Sequence, residues 1–178
     1  MNSETTKTVS VENNGRTMTI VADPKLSKNE IAKGIRNAIK EAVKKGLLPK
    51  AKYGARQPHY GSITISAMGL PFRVLCKERV ADDLAKVYGT IRPWMSAEAL
   101  AVQAVLEKIG NAWNWDHSRS EEDYFHCNYY LTVNVGGIAD RDAERDAITA
   151  EIKAEERQAE RVRLVAMVAA DAANDQVG

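Results

Sequence analysis

Residues 120–137 (SEEDYFHCNYYLTVNVGG) alternate with a period of two. An extended strand here carries Phe125, Cys127, Tyr129, Leu131, Val133 and Val135 on one face, and Tyr124, His126, Asn128, Tyr130, Thr132 and Asn134 on the other. That is the period of a half-buried β-strand long enough to cross a small domain. Shorter alternating runs precede it. Residues 7–22 read as a hairpin turning at Asn13-Asn14-Gly15, and residues 60–66 with Phe72–Lys77 read as a second one. The segment between Pro49 and His59 is polar, basic and broken by Gly54 and Pro58, so it reads as a loop.

Helical periods fill the gaps. Ser27-Lys28-Asn29-Glu30 has the form of a capping box, and Ile31, Ile35, Ala38, Ile39, Ala42 and Val43 make the apolar stripe of the helix it starts, which Gly46 closes. A short helix is expected around Val80 and Leu84. Another starts from Ser96 as N-cap and carries Leu100, Ala101, Ala104, Val105 and Ile109 inward. Trp94, Trp113 and Trp115 sit near its ends as core plugs. From Ile138 to about Asn174 the chain is rich in Ala, Glu and Arg without Gly or Pro, which predicts one helix of roughly 50 Å. The fold class is therefore α+β: an antiparallel sheet of about five strands packed with two or three helices over residues 1–137, then a long C-terminal helix over 138–178.

A chain of 178 residues, 44% of them hydrophobic, is long enough to bury its own core. It contains no apolar run near 18 residues, and Met1–Lys7 is polar, so a cytoplasmic protein without a membrane partner is expected. Cys76 and Cys127 are expected as reduced, buried thiols.

The net charge of +1 conceals a division. Between Pro24 and Pro58 ten Lys or Arg face two acids, whereas from Asp116 onward fourteen acids face seven bases. Either the halves attract each other across the fold, or each presents a contact surface. Four cations, Lys33, Arg36, Lys40 and Lys44, share one helical face and can meet phosphates or an acidic protein. Lys50, Lys52 and Arg56 add a basic loop. The row Tyr124, His126, Asn128 and Tyr130 is a third candidate surface, unless helices cover it.

Ile148, Ile152, Ala159, Val162, Ala166 and Ala169 approximate a heptad seam. With Leu164, Val165, Met167 and Val168 they make the end of the last helix apolar almost all round, so a homodimer is expected through Ile148, Ile152, Val162, Leu164, Val165 and Val168. Catalytic chemistry is thin. His126 and Cys127 are adjacent on a strand and point apart, which defeats joint metal ligation. His117 with Glu121, Glu122 and Asp123 is the remaining acid-base or cation candidate, in a charged loop that is ordinarily just solvated. No phosphate-cradling glycine loop is present. A non-catalytic protein without metal or cofactor is expected, with an enzyme built on His117 as an alternative.

Several of these pieces occur in a recognisable order: Ala32 to Ala42, then Tyr60 to Ile65, then Trp115-Asp116-His117-Ser118, Asp123-Tyr124-Phe125, Tyr129, and Val133 to Gly136. Over residues 27–137 the chain resembles the large polyvalent protein-associated domain, the twenty-ninth of that series. The resemblance implies a phage or conjugative-element origin and a role against host defence, with no catalytic residues. The expected function is binding and inhibition of a host defence complex, such as a CRISPR or restriction effector. The alternative is a nucleic-acid-binding accessory factor that accompanies incoming DNA.

Overall fold

The computed structural model describes residues 6–23, 25–59, 61–87, 89–115 and 127–174, with side chains to 169. Its elements in order are β1 (Lys7–Asn13), β2 (Arg16–Ala22), α1 (Lys28–Lys44), β3 (Lys52–Arg56), β4 (Ser62–Met68), α2 (Lys77–Leu84), α3 (Ala97–Asn111), β5 (Tyr130–Val135) and α4 (Ile138–Asn174).

The class is α+β, but the strands do not form one five-stranded antiparallel sheet. β1 and β2 make a separate two-stranded hairpin, and the other three form a sheet in the order β3-β4-β5. β3 and β4 are antiparallel; β4 and β5 run parallel, with Ile63 beside Leu131 and Ile65 beside Val133. A parallel pair needs a long crossover, and here α2 and α3 supply it.

Two corrections explain the difference. The basic segment after Pro49 is a strand rather than a loop: Tyr53 is half-buried and Ala55 buried, which is enough alternation to seat β3 beside β4. The second hairpin does not exist. Val74 and Leu75 are both buried, and this stretch is held by a lone bridge between Leu75 and Met95, with Cys76 becoming the N-cap of α2. Neither cysteine is fully buried; both are free and half-exposed.

α1 and α3 pack on one face of the three-stranded sheet, and the hairpin lies against α3. Ile31, Ile35, Ile39, Leu106 and Ile109 meet Ile63, Ile65, Ala67 and Val135 in one core. The helix starts form as expected. Ser27 and Glu30 complete the reciprocal capping box, and the Ser96 hydroxyl accepts the Ala99 N–H. Gly46 closes α1 at φ +71°, where Arg16 lies so close that a Cβ would meet its guanidinium at 1.8 Å. α3 buries Val105 and Ile109 as expected, but its inward face is rotated from the expected stripe: Ala99, Val102, Leu106 and Gly110 are also buried, while Leu100 and Ala104 are exposed. On this face the approach to β5 is close: a Cβ on Gly110 would stand 2.6 Å from a Leu131 methyl. Of the tryptophans, Trp113 is the core plug expected; Trp94 is exposed and lies 4.4 Å beneath the Arg79 guanidinium.

α4 docks on α2 near its own start. Ile148 is fully buried with Leu75 and Val80, and Ile152 packs beside them. Charged groups surround this contact: Glu151 pairs with Arg73 at 2.6 Å and with Lys77 at 2.7 Å, and Glu155 also reaches Lys77. Hydrogen bonds from Lys77 and Arg73 hold the Glu151 carboxyl below its ordinary 4.5. A carboxylate with a depressed pKa favours the docked state above its undocked value and loses that contribution as pH falls through the docked one. Amide exchange over residues 138–152, corrected for intrinsic rates, should therefore quicken as pH drops below about 4.5, and added salt at neutral pH should act in the same direction. An exchange rate indifferent to both would remove the ion pairs from the docking contact.

Candidate binding surface

The capping box fixes where α1 begins and the apolar stripe fixes its rotation, so Lys33, Arg36, Lys40 and Lys44 are set on the outer side and all are exposed. From Lys33 to Lys44 the stripe rises roughly 16 Å. Arg36 also ties α1 to the sheet, because its Nη1 donates to the Ala55 carbonyl at 2.5 Å and so covers an outward-pointing carbonyl of the edge strand β3. At the foot of the helix Arg16 donates to the Gly46 carbonyl at 2.9 Å and adds a cation that the sequence pattern does not single out. It is separated from the stripe by more than a dozen residues and is brought there only by the docking of the hairpin.

Between α1 and β3 lies a cavity of about 330 Å³ lined by Arg36, Ile39, Lys40, Val43, Ala51 and Tyr53. The Tyr53 hydroxyl donates to the Pro49 carbonyl at 3.0 Å, and burial pushes its pKa up to about 12, so it remains a protonated donor at neutral pH. Lys50 lies just before β3 and is exposed; Lys52 and Arg56 are exposed on the strand itself. Because Tyr53 and Ala55 point to the core, Lys52 and Arg56 point to the opposite side of the sheet. The two basic groups thus wrap around the β3 edge instead of forming one plane.

Part of the charge division is met by ion pairs among the described residues. Two carboxylates of α4, Glu151 and Glu155, pair with Arg73 and Lys77, and Asp83 of α2 pairs with Arg145 at 2.9 Å. Among the described residues no carboxylate comes within ion-pair distance of Lys33, Lys40, Lys44, Lys50, Lys52 or Arg56; at the end of α1 Lys45 has one, Glu41 at 3.9 Å. Among the described residues the α4 carboxylates in ion pairs thus meet bases of residues 73–77 and none reaches the α1 stripe, whose own acids are Glu30 and Glu41.

The other sequence candidates divide. Tyr130 is exposed at the start of β5, but Asn128 does not continue a row with it: Asn128 precedes the strand, and its side chain donates to the Trp113 carbonyl at 3.3 Å. Tyr129 between them is buried. Tyr124, His126, His117, Glu121, Glu122 and Asp123 lie outside the described residues. Among the described residues no group of three or more His, Cys, Asp or Glu is placed to hold a metal ion. Ile148 and Ile152 are not free for a dimer, because α2 already covers them; Val162, Leu164, Val165 and Val168 are more than half exposed. No helix among the described residues is long and apolar enough to cross a membrane.

No family model, no curated protein and no solved structure matches this chain. The resemblance to the large polyvalent protein-associated domain accordingly rests on its ordered motifs alone.

Proposed function

We propose that the protein is a non-catalytic mobile-element protein that binds and inhibits a host defence complex, a CRISPR or restriction effector, by laying the basic face of α1 on a polyanionic surface of that complex. The observation that carries this reading is the exposed stripe of Lys33, Lys40 and Lys44, none of them in an ion pair among the described residues, on a helix packed into the core from below. Exposed cations of this kind steer association and set specificity at little cost in stability. The ordered motifs of the resemblance supply the class of target.

The test is capture of effectors from a nuclease-treated bacterial lysate, followed by a cleavage assay with the retained effector. Replacing Lys33, Lys40 and Lys44 together by Glu should raise the inhibitory concentration by at least about tenfold while leaving the thermal midpoint almost unchanged, since all three are exposed. Full inhibition by that variant would sink the proposal.

The exposed Lys50, in the short segment joining α1 to β3, favours a second reading, an accessory factor that binds incoming DNA. In that case the wild type binds plain duplex, and the triple substitution flattens the slope of log affinity against log salt by about 2 to 3.

A further inference from the structure

α1 and α3 pack on one face of the β3-β4-β5 sheet and α4 packs on α2, while the strand residues that point to the other face are half-exposed or exposed. Its composition differs from that of the α1 surface. The central strand contributes Ser62, Thr64 and Ser66, all half-exposed, so the floor is a row of hydroxyls with no long side chain until Met68. Gly54 stands opposite Ser66, and a Cβ there would come within 3.0 Å of the serine hydroxyl; the glycine keeps the floor flat.

The two margins are unlike each other. On the β3 side Lys52 and Arg56 are four residues apart, about 13 Å along the strand. On the β5 side, roughly 10 Å away across two strand spacings, Tyr130 is 64% exposed, and Thr132 and Asn134 follow it at alternate positions. None of the three strands contributes a carboxylate to this face.

We infer that the open face of this sheet binds single-stranded nucleic acid, with phosphates on Lys52 and Arg56, a base stacked on Tyr130, and sugars and base edges hydrogen-bonded over the Ser62–Thr64–Ser66 row. Cations at one margin and an exposed aromatic ring at the other, with a flat polar floor between, match a strand whose backbone and bases lie on opposite sides. A duplex hides its base faces from such a platform. An acidic peptide satisfies the two cations but leaves the ring and the hydroxyl row unmatched. The inference stands whether the protein inhibits an effector or accompanies DNA, because it concerns a different surface from the lysines of α1.

The experiment is a fluorescence-anisotropy titration of the full chain with a labelled oligothymidylate of about 15 nucleotides at about 50 mM salt. The wild type should bind, and unlabelled duplex of equal length should compete at least about tenfold less well. Tyr130→Ala should weaken binding by at least about fivefold with the salt slope unchanged, and Tyr130→Trp should restore it. The double variant Lys52→Ala, Arg56→Ala should weaken binding and reduce the salt slope by about 1.4, since each phosphate contact on a single strand contributes about 0.7.

All of these side chains are exposed, so the variants fold. Absence of binding at low salt, equal competition by duplex, or a Tyr130→Ala protein indistinguishable from wild type would overturn the assignment. So would equal competition by oligoglutamate, which would reduce the face to a surface for any polyanion. The α1 lysines are intact throughout, so this result and the inhibition assay fail separately.

Discussion

Replacing Tyr129 by Ala should destabilise the protein by about 3–5 kcal/mol, the range for removing a large buried aromatic side chain. Tyr129 is 1% exposed and sits where α3, the following segment and β5 meet. Its hydroxyl donates to the Gly110 carbonyl, one of the last carbonyls of α3 that lack an intrahelical partner. Burial raises its pKa well above that of a free tyrosine, so it remains a donor at any pH at which the fold persists. Asn114 grips the same residue by its backbone, donating to the Tyr129 carbonyl at 3.0 Å and accepting its N–H at 3.4 Å. Together these bonds hold the end of α3 to the start of β5, which is where the parallel register with β4 is set. Tyr129→Phe separates the two contributions: it keeps the ring and should cost only about 1–2 kcal/mol, for the carbonyl left without its partner. Chemical denaturation of both variants measures this. A loss under about 1 kcal/mol for Tyr129→Ala would show that the residue is not a core anchor.

Ile148→Ala should weaken the docking of α4 by about 2–5 kcal/mol. Its cluster with Leu75, Val80 and Ile152 is separate from the main core, so the loss should be local. Hydrogen exchange should speed over residues 77–84 and 138–152, while α1, α3 and β4 keep their protection. Uniform loss of protection would mean instead that the docking contact and the core unfold as one unit.

How much of this is legible in the chain depends on whether a feature is local. The capping box at Ser27, the stop at Gly46, the Ser96 cap and the apolar stripe of α1 are set by neighbours within a turn or two, and all are readable. So is the alternation of Leu131, Val133 and Val135 on β5. Its partner is not, because a period of two says which face is buried and nothing about which strand lies alongside or in which direction it runs. β3 hides because only Tyr53 and Ala55 carry its inward face, and the basic residues around them mask so short a signal. The phase of α3 is only half readable by periodicity because the helix is apolar around most of its surface; the close approach of Gly110 to Leu131, 21 residues away in sequence, belongs to tertiary packing. For the sites, the basic face of α1 is visible as spacing, whereas the pairing of Glu151 and Glu155 with Arg73 and Lys77 depends on tertiary docking. The open sheet face is invisible for the same reason: Lys52, Ser66 and Tyr130 belong to three strands that no local pattern connects.

The parallel pairing of β4 with β5 also dictates an order of assembly. The β3–β4 pair closes over a turn of a few residues, but β5 arrives only after the chain from residue 69 to 129 has been gathered, a closure costing roughly 3–4 kcal/mol in chain entropy. Pairings of such long range are made late and slowly. Until then Ile63 and Ile65 have an unpaired strand edge beside them, the kind of exposed edge on which nascent chains stick to one another. The Tyr130 margin comes into being with the same step, so a chain halted before β5 docks would present the cations of β3 without the ring across from them.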